Sequence, residues 1–171
     1  MSLADFRGET LGHQRWRGRD FSGQRVAVIA SARETVDIVP ELVRTALFVK
    51  VFQDRPGWVL PRPVPALGPL RQVAARLHLR LGVSDDWTRR LLTPHPRFGS
   101  PHFMVSEDFY AALERPDCKL IAWPIYAITP DGVRTAEGIE HRVDCIVHGE
   151  TVPLGHDTAV TTKPARQERT A

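Results

Sequence analysis

Apolar and polar positions follow two different periods along this chain. Val26, Ala27, Val28 and Ile29 form an unbroken apolar run after Arg25, the pattern of a strand buried on both faces. The spacing of Val36, Val39, Val43 and Leu47 then predicts a helix over residues 34–47, with Pro40 inside it to kink it or restrict its first turns. Phe48–Phe52 reads as a second apolar strand, and the proline-rich residues 56–69 as an extended surface connection. Leu67, Leu70, Val73, Leu77 and Leu81 recur at helical spacing, with Arg71, Arg76 and Arg80 on other faces and Gly82 as a C-cap. Asp85 or Asp86 caps a short helix through Leu92, residues 94–102 form a loop, and Ser106 caps a helix through Leu113. Strands are expected over residues 120–123, 126–129 and 143–148, with turns at Asp131-Gly132 and Glu137-Gly138. The polar residues 1–24 read as a linker-like segment anchored by Trp16 and Phe21. The pattern dissolves after Gly149, so residues 150–171 are expected to be a disordered tail. There is no internal repeat.

The strand, tight turn and helix over residues 26–42 have the form that opens a dinucleotide-binding βαβ unit. In the G-x-G-x-x-G turn of such a unit, one glycine makes the turn, one lets backbone touch the pyrophosphate and one allows close helix packing. Those places hold Ala30, Ala32 and Thr35 here. If the turn needs positive φ, alanine costs about 1–2 kcal/mol, and a methyl on Ala32 would stand where a phosphate oxygen approaches. Glu34 suits the helix dipole but would compete with a bound anion. Arg33, beside Ser31 and Ala32, is the residue of this turn that would favour phosphate. A βα unit with no ligand is an equal reading of this loop.

Composition narrows the function classes. The chain has 171 residues, 42% hydrophobic and 25% charged, enough for one domain with a real core. The net charge of +3 is mild, and of 23 basic residues only Lys50, Lys119 and Lys163 are lysine. The arginines are spread along the chain, without the basic, aromatic-interleaved stripe of a nucleic-acid reader, so no nucleic-acid partner is expected. No apolar run is long enough to span a bilayer and the first residues lack a secretory h-region, so a cytoplasmic location is expected. Cys118 and Cys145 lie at or in apolar runs and read as buried free thiols. No metal site is expected, since His95 and His102 are too far apart for one helical face and neither has a nearby cysteine.

Several blocks, in this order, resemble the flavin-dependent monooxygenases of the Baeyer–Villiger type. Phe6-Arg7-Gly8-Glu9-Thr10 with Trp16 is similar to that family's F-x-G-x-x-x-H-x-x-x-W fingerprint, and Phe21-Ser22-Gly23-Gln24-Arg25 to the lead into its second Rossmann strand. Val39-Pro40-Glu41-Leu42, Val51-Phe52-Gln53 and Trp58-Val59-Leu60-Pro61-Arg62 continue the likeness. So do Leu92-Thr93-Pro94, Ser106-Glu107-Asp108-Phe109-Tyr110, Gly132-Val133-Arg134-Thr135 and residues 138–147. The resemblance implies an α/β, Rossmann-like NAD(P)-binding domain over residues 25–149, with a small helical insertion about residues 67–92 and a C-terminal β-meander. It covers the NADP-binding half only; the unit that grips FAD has no counterpart here.

Its functional residues carry over poorly. Gly12 stands at the fingerprint histidine's place, with His13 one position later. Gln53 is followed by Asp54 where the family has an arginine for the NADP 2′-phosphate, and then by Arg55. An acid there suits a ribose 2′-hydroxyl instead. The closing A-T-G motif reads Gly149-Glu150-Thr151. The candidate cofactor residues are therefore Ala30, Ser31, Ala32, Arg33, Glu34, Thr35, Gln53, Asp54 and Arg55, with no catalytic residue. The resemblance implies weak NADP or NAD binding at most, and FAD only through a separate partner domain. The expected partner is an FAD-domain chain or a second copy of this one. No side chain replaces flavin in oxygen chemistry, so the lone chain is expected not to be a monooxygenase. The alternative is a non-catalytic remnant or binding module without cofactor. A hydrolase site on Ser106, His102 and Asp108 is a poorer reading, because Ser106 is explained as a helix cap.

Overall fold

The computed structural model describes residues 3–12, 15–53, 55–63, 68–95 and 102–150. After a 3₁₀ turn (Leu3–Asp5), the chain runs β1 (Glu9–Gly12), β2 (Arg25–Ile29), α1 (Ala32–Leu42), β3 (Phe48–Phe52) and β4 (Trp58–Leu60). It continues through α2 (Gly68–Gly82), α3 (Asp86–Leu92), β5 (Phe103–Val105), α4 (Phe109–Leu113) and β6 (Cys118–Ile121). The last part is β7 (Ile125–Thr129), β8 (Gly132–Thr135), β9 (Glu140–Arg142) and β10 (Cys145–His148).

Five of these strands form an all-parallel sheet in the order β1-β10-β2-β3-β6. The apolar run of β2 sits near its middle, fully buried from Val26 to Ile29, as a strand covered on both faces must be. One face carries α1 over β2 and β3 and α4 against β6, while α2 packs on β4 and α4, all in one apolar cluster with Val26, Val28, Val49 and Val51. The other face packs Ala27, Ile29, Phe52 and Ile146 against the antiparallel meander β7-β8-β9 through Ile128 and Val133. This is the mixed α/β, Rossmann-like architecture expected from the sequence, with the helical insertion and the meander both present.

Four local expectations are corrected. Residues 1–24 were read as linker-like, yet β1 is a full edge strand of the sheet, Glu9 to Gly12 in register with Cys145 to His148. Phe6, Leu11, Trp16 and Phe21 are buried beneath and beside it. α1 stops at Leu42, not residue 47. Its backbone tightens into turns (Ala46 N–H to Leu42 O, 2.9 Å), and the Leu47 N–H is drawn to Gln24 O to start β3. Leu47 is left 59% exposed.

The connection after β3 contains β4, which pairs in parallel with β5 in a segment that also lacked a strand signal. The α2 helix forms as expected, but its packed side is different. Ala75 and Leu79 are buried, while Leu70, Val73, Leu77 and Leu81 are 55–79% exposed. α2 is also apolar on the opposite side, where the small Ala75 lets the helix approach β4 closely. Arg71 and Arg76 lie over the Phe103 and Trp58 rings at 4.4 and 5.8 Å, so their guanidiniums cover core aromatics.

The cap of α3 follows the sequence, while the N-cap residue of α4 is Asp108, which makes no side-chain cap bond, with Ser106 two residues earlier. Asp85 accepts from Thr88 N–H at 2.7 Å at the head of α3, and the Ser106 hydroxyl accepts from Phe109 N–H at 3.2 Å at the head of α4. The expected disordered tail, apart from Glu150, lies outside the described residues.

Candidate functional site

In an open parallel sheet, ligands bind beyond the carboxyl ends of the strands where the strand order reverses. Here that crevice lies between β2 and β10, whose chains leave the sheet at Ala30 and Gly149. The Gly149 N–H still bonds Ile29 O at 2.9 Å, so both loops depart side by side. α1 starts immediately beyond, with free N–H groups and the positive end of its dipole directed at the crevice.

Glu34 fills that position. Its carboxylate accepts from the Ser31 hydroxyl at 2.7 Å and from Ser31 N–H at 3.1 Å, while the Ser31 hydroxyl accepts from Glu34 N–H at 3.5 Å. Serine and glutamate three residues apart thus close a capping box. The same carboxylate accepts from Glu150 N–H at 3.0 Å, tying the loop after β10 to the head of α1. A Cβ at position 149 would overlap the Glu34 carboxylate, so a side chain there would push Glu34 from this position. An acidic side chain of the protein therefore sits where a helix N-terminus would receive a phosphate.

The other residues of the turn serve the fold. Ala30 is fully buried in the core beneath the helices, and Ala32 is half-buried against the same cluster. Both residues touch the core cluster, and Glu34 stands at the crevice itself. Thr35, at the third glycine's place, is fully buried, and its hydroxyl donates to Ser31 O at 2.8 Å. Arg33 is exposed.

At the end of β3 the Gln53 amide donates to Arg55 O at 3.3 Å, while its Oε1 is buried without a partner. Arg55 is exposed, and Asp54 lies outside the described residues. The structure thus gathers Ala30 to Thr35 around one crevice. Gln53 and Arg55 stand on the neighbouring strand end, beyond β2.

Position 12, at the end of β1, is covered by another side chain. A Cβ on Gly12 would meet the His148 ring at 2.5 Å, and His148 Nδ1 lies 2.9 Å from Gly149 O. A histidine at position 12 would need His148 to move. His13 lies outside the described residues. The alternative hydrolase residues are not assembled, since the Ser106 hydroxyl accepts from Phe109 N–H and Asp108 faces Arg44 at 3.8 Å. Cys118 and Cys145 are buried free thiols; burial pushes them up to about 12 and about 11.

The parallel sheet with its crevice at the β2/β10 reversal defines a Rossmann-type unit. The proteins it is similar to are flavin monooxygenases. An FAD-binding monooxygenase of Aspergillus niger is 30% identical over 187 residues, covering 85% of this chain and 31% of the relative. A Baeyer–Villiger monooxygenase of Pseudomonas aeruginosa is 25% identical over 187 residues, covering 86% and 36%.

Among solved structures, oxidized steroid monooxygenase bound to NADP superposes with a TM-score of 0.71 at 20% identity, over 86% of this chain and 42% of that one. Cyclohexanone monooxygenase in an open form gives 0.71 at 19%, over 86% and 44%. No family model matches the chain. Its homologues are flavin-dependent monooxygenases of the Baeyer–Villiger type, and it spans about a third of the length of the curated relatives it matches.

The residues present do not fit a bound dinucleotide in this arrangement, because Glu34 and Glu150 N–H occupy the crevice. For FAD, the chain contains no G-x-G-x-x-G sequence at all.

Proposed function

We propose that this chain is a monooxygenase-type Rossmann unit whose dinucleotide crevice is closed by its own Glu34. By itself it holds NADP or NAD weakly at most and carries out no monooxygenation. The observation that carries this reading is the Glu34 carboxylate bound to Ser31 and Glu150 at the head of α1. A pyrophosphate entering there must break the capping box and place its charge beside a carboxylate, both unfavourable. FAD, which the relatives' names specify, would come from a separate domain or chain. The working compartment would be the cytoplasm. Among the described residues no helix is long and apolar enough to cross a membrane.

The reading is tested by calorimetric titration of the chain with NADPH and NADH at low salt. The unaltered chain should show no saturable binding below roughly millimolar nucleotide, whose binding free energy is about −4 kcal/mol. Ala30→Gly, Ala32→Gly and Glu34→Ala together should bring binding into the micromolar range. Tight binding by the unaltered chain, or no gain in the triple variant, would sink it. A second reading, a binding module without cofactor, is favoured by the exposed stripe Leu70, Val73, Leu77 and Leu81 on α2.

A further inference from the structure

His141 stands where the antiparallel meander meets the parallel sheet. It lies on β9 in register with Val133 of β8, and its ring meets Phe52 of β3 edge-on, with centroids 5.5 Å apart. Phe52 belongs to the apolar cluster that joins the two layers, with Ala27, Ile29, Ile128, Val133 and Ile146. The His141 Nε2 is buried and makes no hydrogen bond among the described residues. A neutral imidazole tolerates this place better than an imidazolium. Once protonated, both ring nitrogens are donors, and Nε2 would hold its proton away from water with no acceptor.

The sheet beneath adds a second reason. Alternation along β3 places Lys50 on the face of Phe52, and along β6 it places Lys119 on the face of Ile121. Lys50 and Lys119 are register partners, an arrangement of like charges that destabilises a sheet. Neither forms an ion pair among the described residues. The half-buried Lys50 ammonium donates at 3.4 Å to the carbonyl oxygen of Arg142, the residue after His141.

Few groups nearby could balance a further cation. Burial, then Lys50, holds His141 below its usual 6.5; Lys119 adds to this, and the exposed Glu137 of the β8–β9 turn opposes it. Lys50 is itself pushed down by burial, then by Arg25 and Lys119, so the site is short of negative charge before any proton arrives. The other charges around it are already engaged. Glu140 accepts from the Thr129 hydroxyl and faces Arg134 at 3.9 Å, and Arg25 is paired with Asp144.

We propose that His141 is a proton-operated latch, which holds the β7–β9 meander on the sheet when neutral and releases it when a third cation joins Lys50 and Lys119. Release would uncover the apolar sheet face of Ala27, Ile29, Phe52 and Ile146. The sign follows from the direction in which burial and the lysines move the imidazole. A base held below its usual value adds stability that is complete above about 6.5 and is lost as pH falls below it.

The test is hydrogen–deuterium exchange of the full chain between about pH 7 and about pH 5, each rate corrected for its intrinsic pH dependence. Amides of residues 125–142 should exchange roughly tenfold faster for a unit of pH below the onset, while those of β2 and β3 keep their protection. His78 is also held low by burial, but it packs on Tyr110 on the helical side, so its protonation would open α2 and not the meander. His141→Phe keeps a ring against Phe52 and should abolish the acceleration. Lys119→Met, at an exposed side chain, should lessen it. No acceleration of residues 125–142 in the parent would overturn the proposal. So would an undiminished acceleration in His141→Phe. Were that variant not to fold, an undiminished acceleration in Lys119→Met would overturn it instead.

Discussion

A carboxylate three residues after a serine at the head of a helix can serve the helix or make way for a ligand, and Glu34 serves the helix. Such a cap stabilises by about 0.5–2 kcal/mol, and the further bond to Glu150 N–H extends it across the crevice. The S-x-x-E spacing of Ser31 and Glu34 is visible in the sequence, as was the competition between Glu34 and an anion. The third partner was not, because only the fold brings residue 150 beside residue 34. Likewise the contact of Ala30 and Ala32 with the core cluster depends on the path of the β2–α1 corner, which residue types do not specify.

Asp144 shows a second residue-scale effect. Its hydrogen bonds from Arg25 hold its carboxyl at about 2, below the usual 3.8. A lowered folded value means stability present above the unfolded value and lost as pH falls from about 4 towards about 2. Urea midpoints measured across that range should fall for the natural chain, and Asp144→Asn should flatten the fall while lowering the midpoint at neutral pH. Cys118 and Cys145, with thiols pushed up to about 12 and about 11 by burial, should resist a thiol reagent at pH 8 until the chain is unfolded. Rapid labelling of the folded chain would contradict their burial.

At the scale of elements, strong periodicity identified β2, β3 and α2, and β2 and β3 to the residue. What periodicity could not decide was which side of α2 packs. Leucines and valines mark one side, yet burial goes to Ala75 and Leu79, where the small alanine permits contact with β4 and α4. Leu79→Ala should therefore cost about 2–5 kcal/mol, and Leu77→Ala less than about 0.5 kcal/mol. Equal losses in urea denaturation would mean that the leucine stripe is covered. Strands β1, β4 and β5 carry no clear pattern of their own, because each is only three or four residues long, and β1 mixes glutamate and threonine with its single buried Leu11. Strands this short are defined by their partners, not by their own pattern.

For the molecule as a whole, the sequence carried the fold class and the resemblance, and the structure shows what stands in the crevice that such a fold supplies. A Rossmann sheet supplies a crevice wherever its strand order reverses, but the chemistry depends on what the two loops place there. In this chain the loops place a carboxylate and a backbone N–H that satisfy one another. At the opposite end of the sheet Arg25 is paired with Asp144 and Arg7 with Asp131.

The most direct measurement is a ¹H–¹⁵N spectrum of the labelled chain recorded as NADPH is added, following the amides of Ser31 and Glu150. With both amides held by Glu34, the account predicts that their resonances stay in place up to roughly millimolar NADPH, the edge of weak binding. Saturable shifts of these two amides at micromolar nucleotide would contradict it, showing that Glu34 yields the head of α1 to a phosphate.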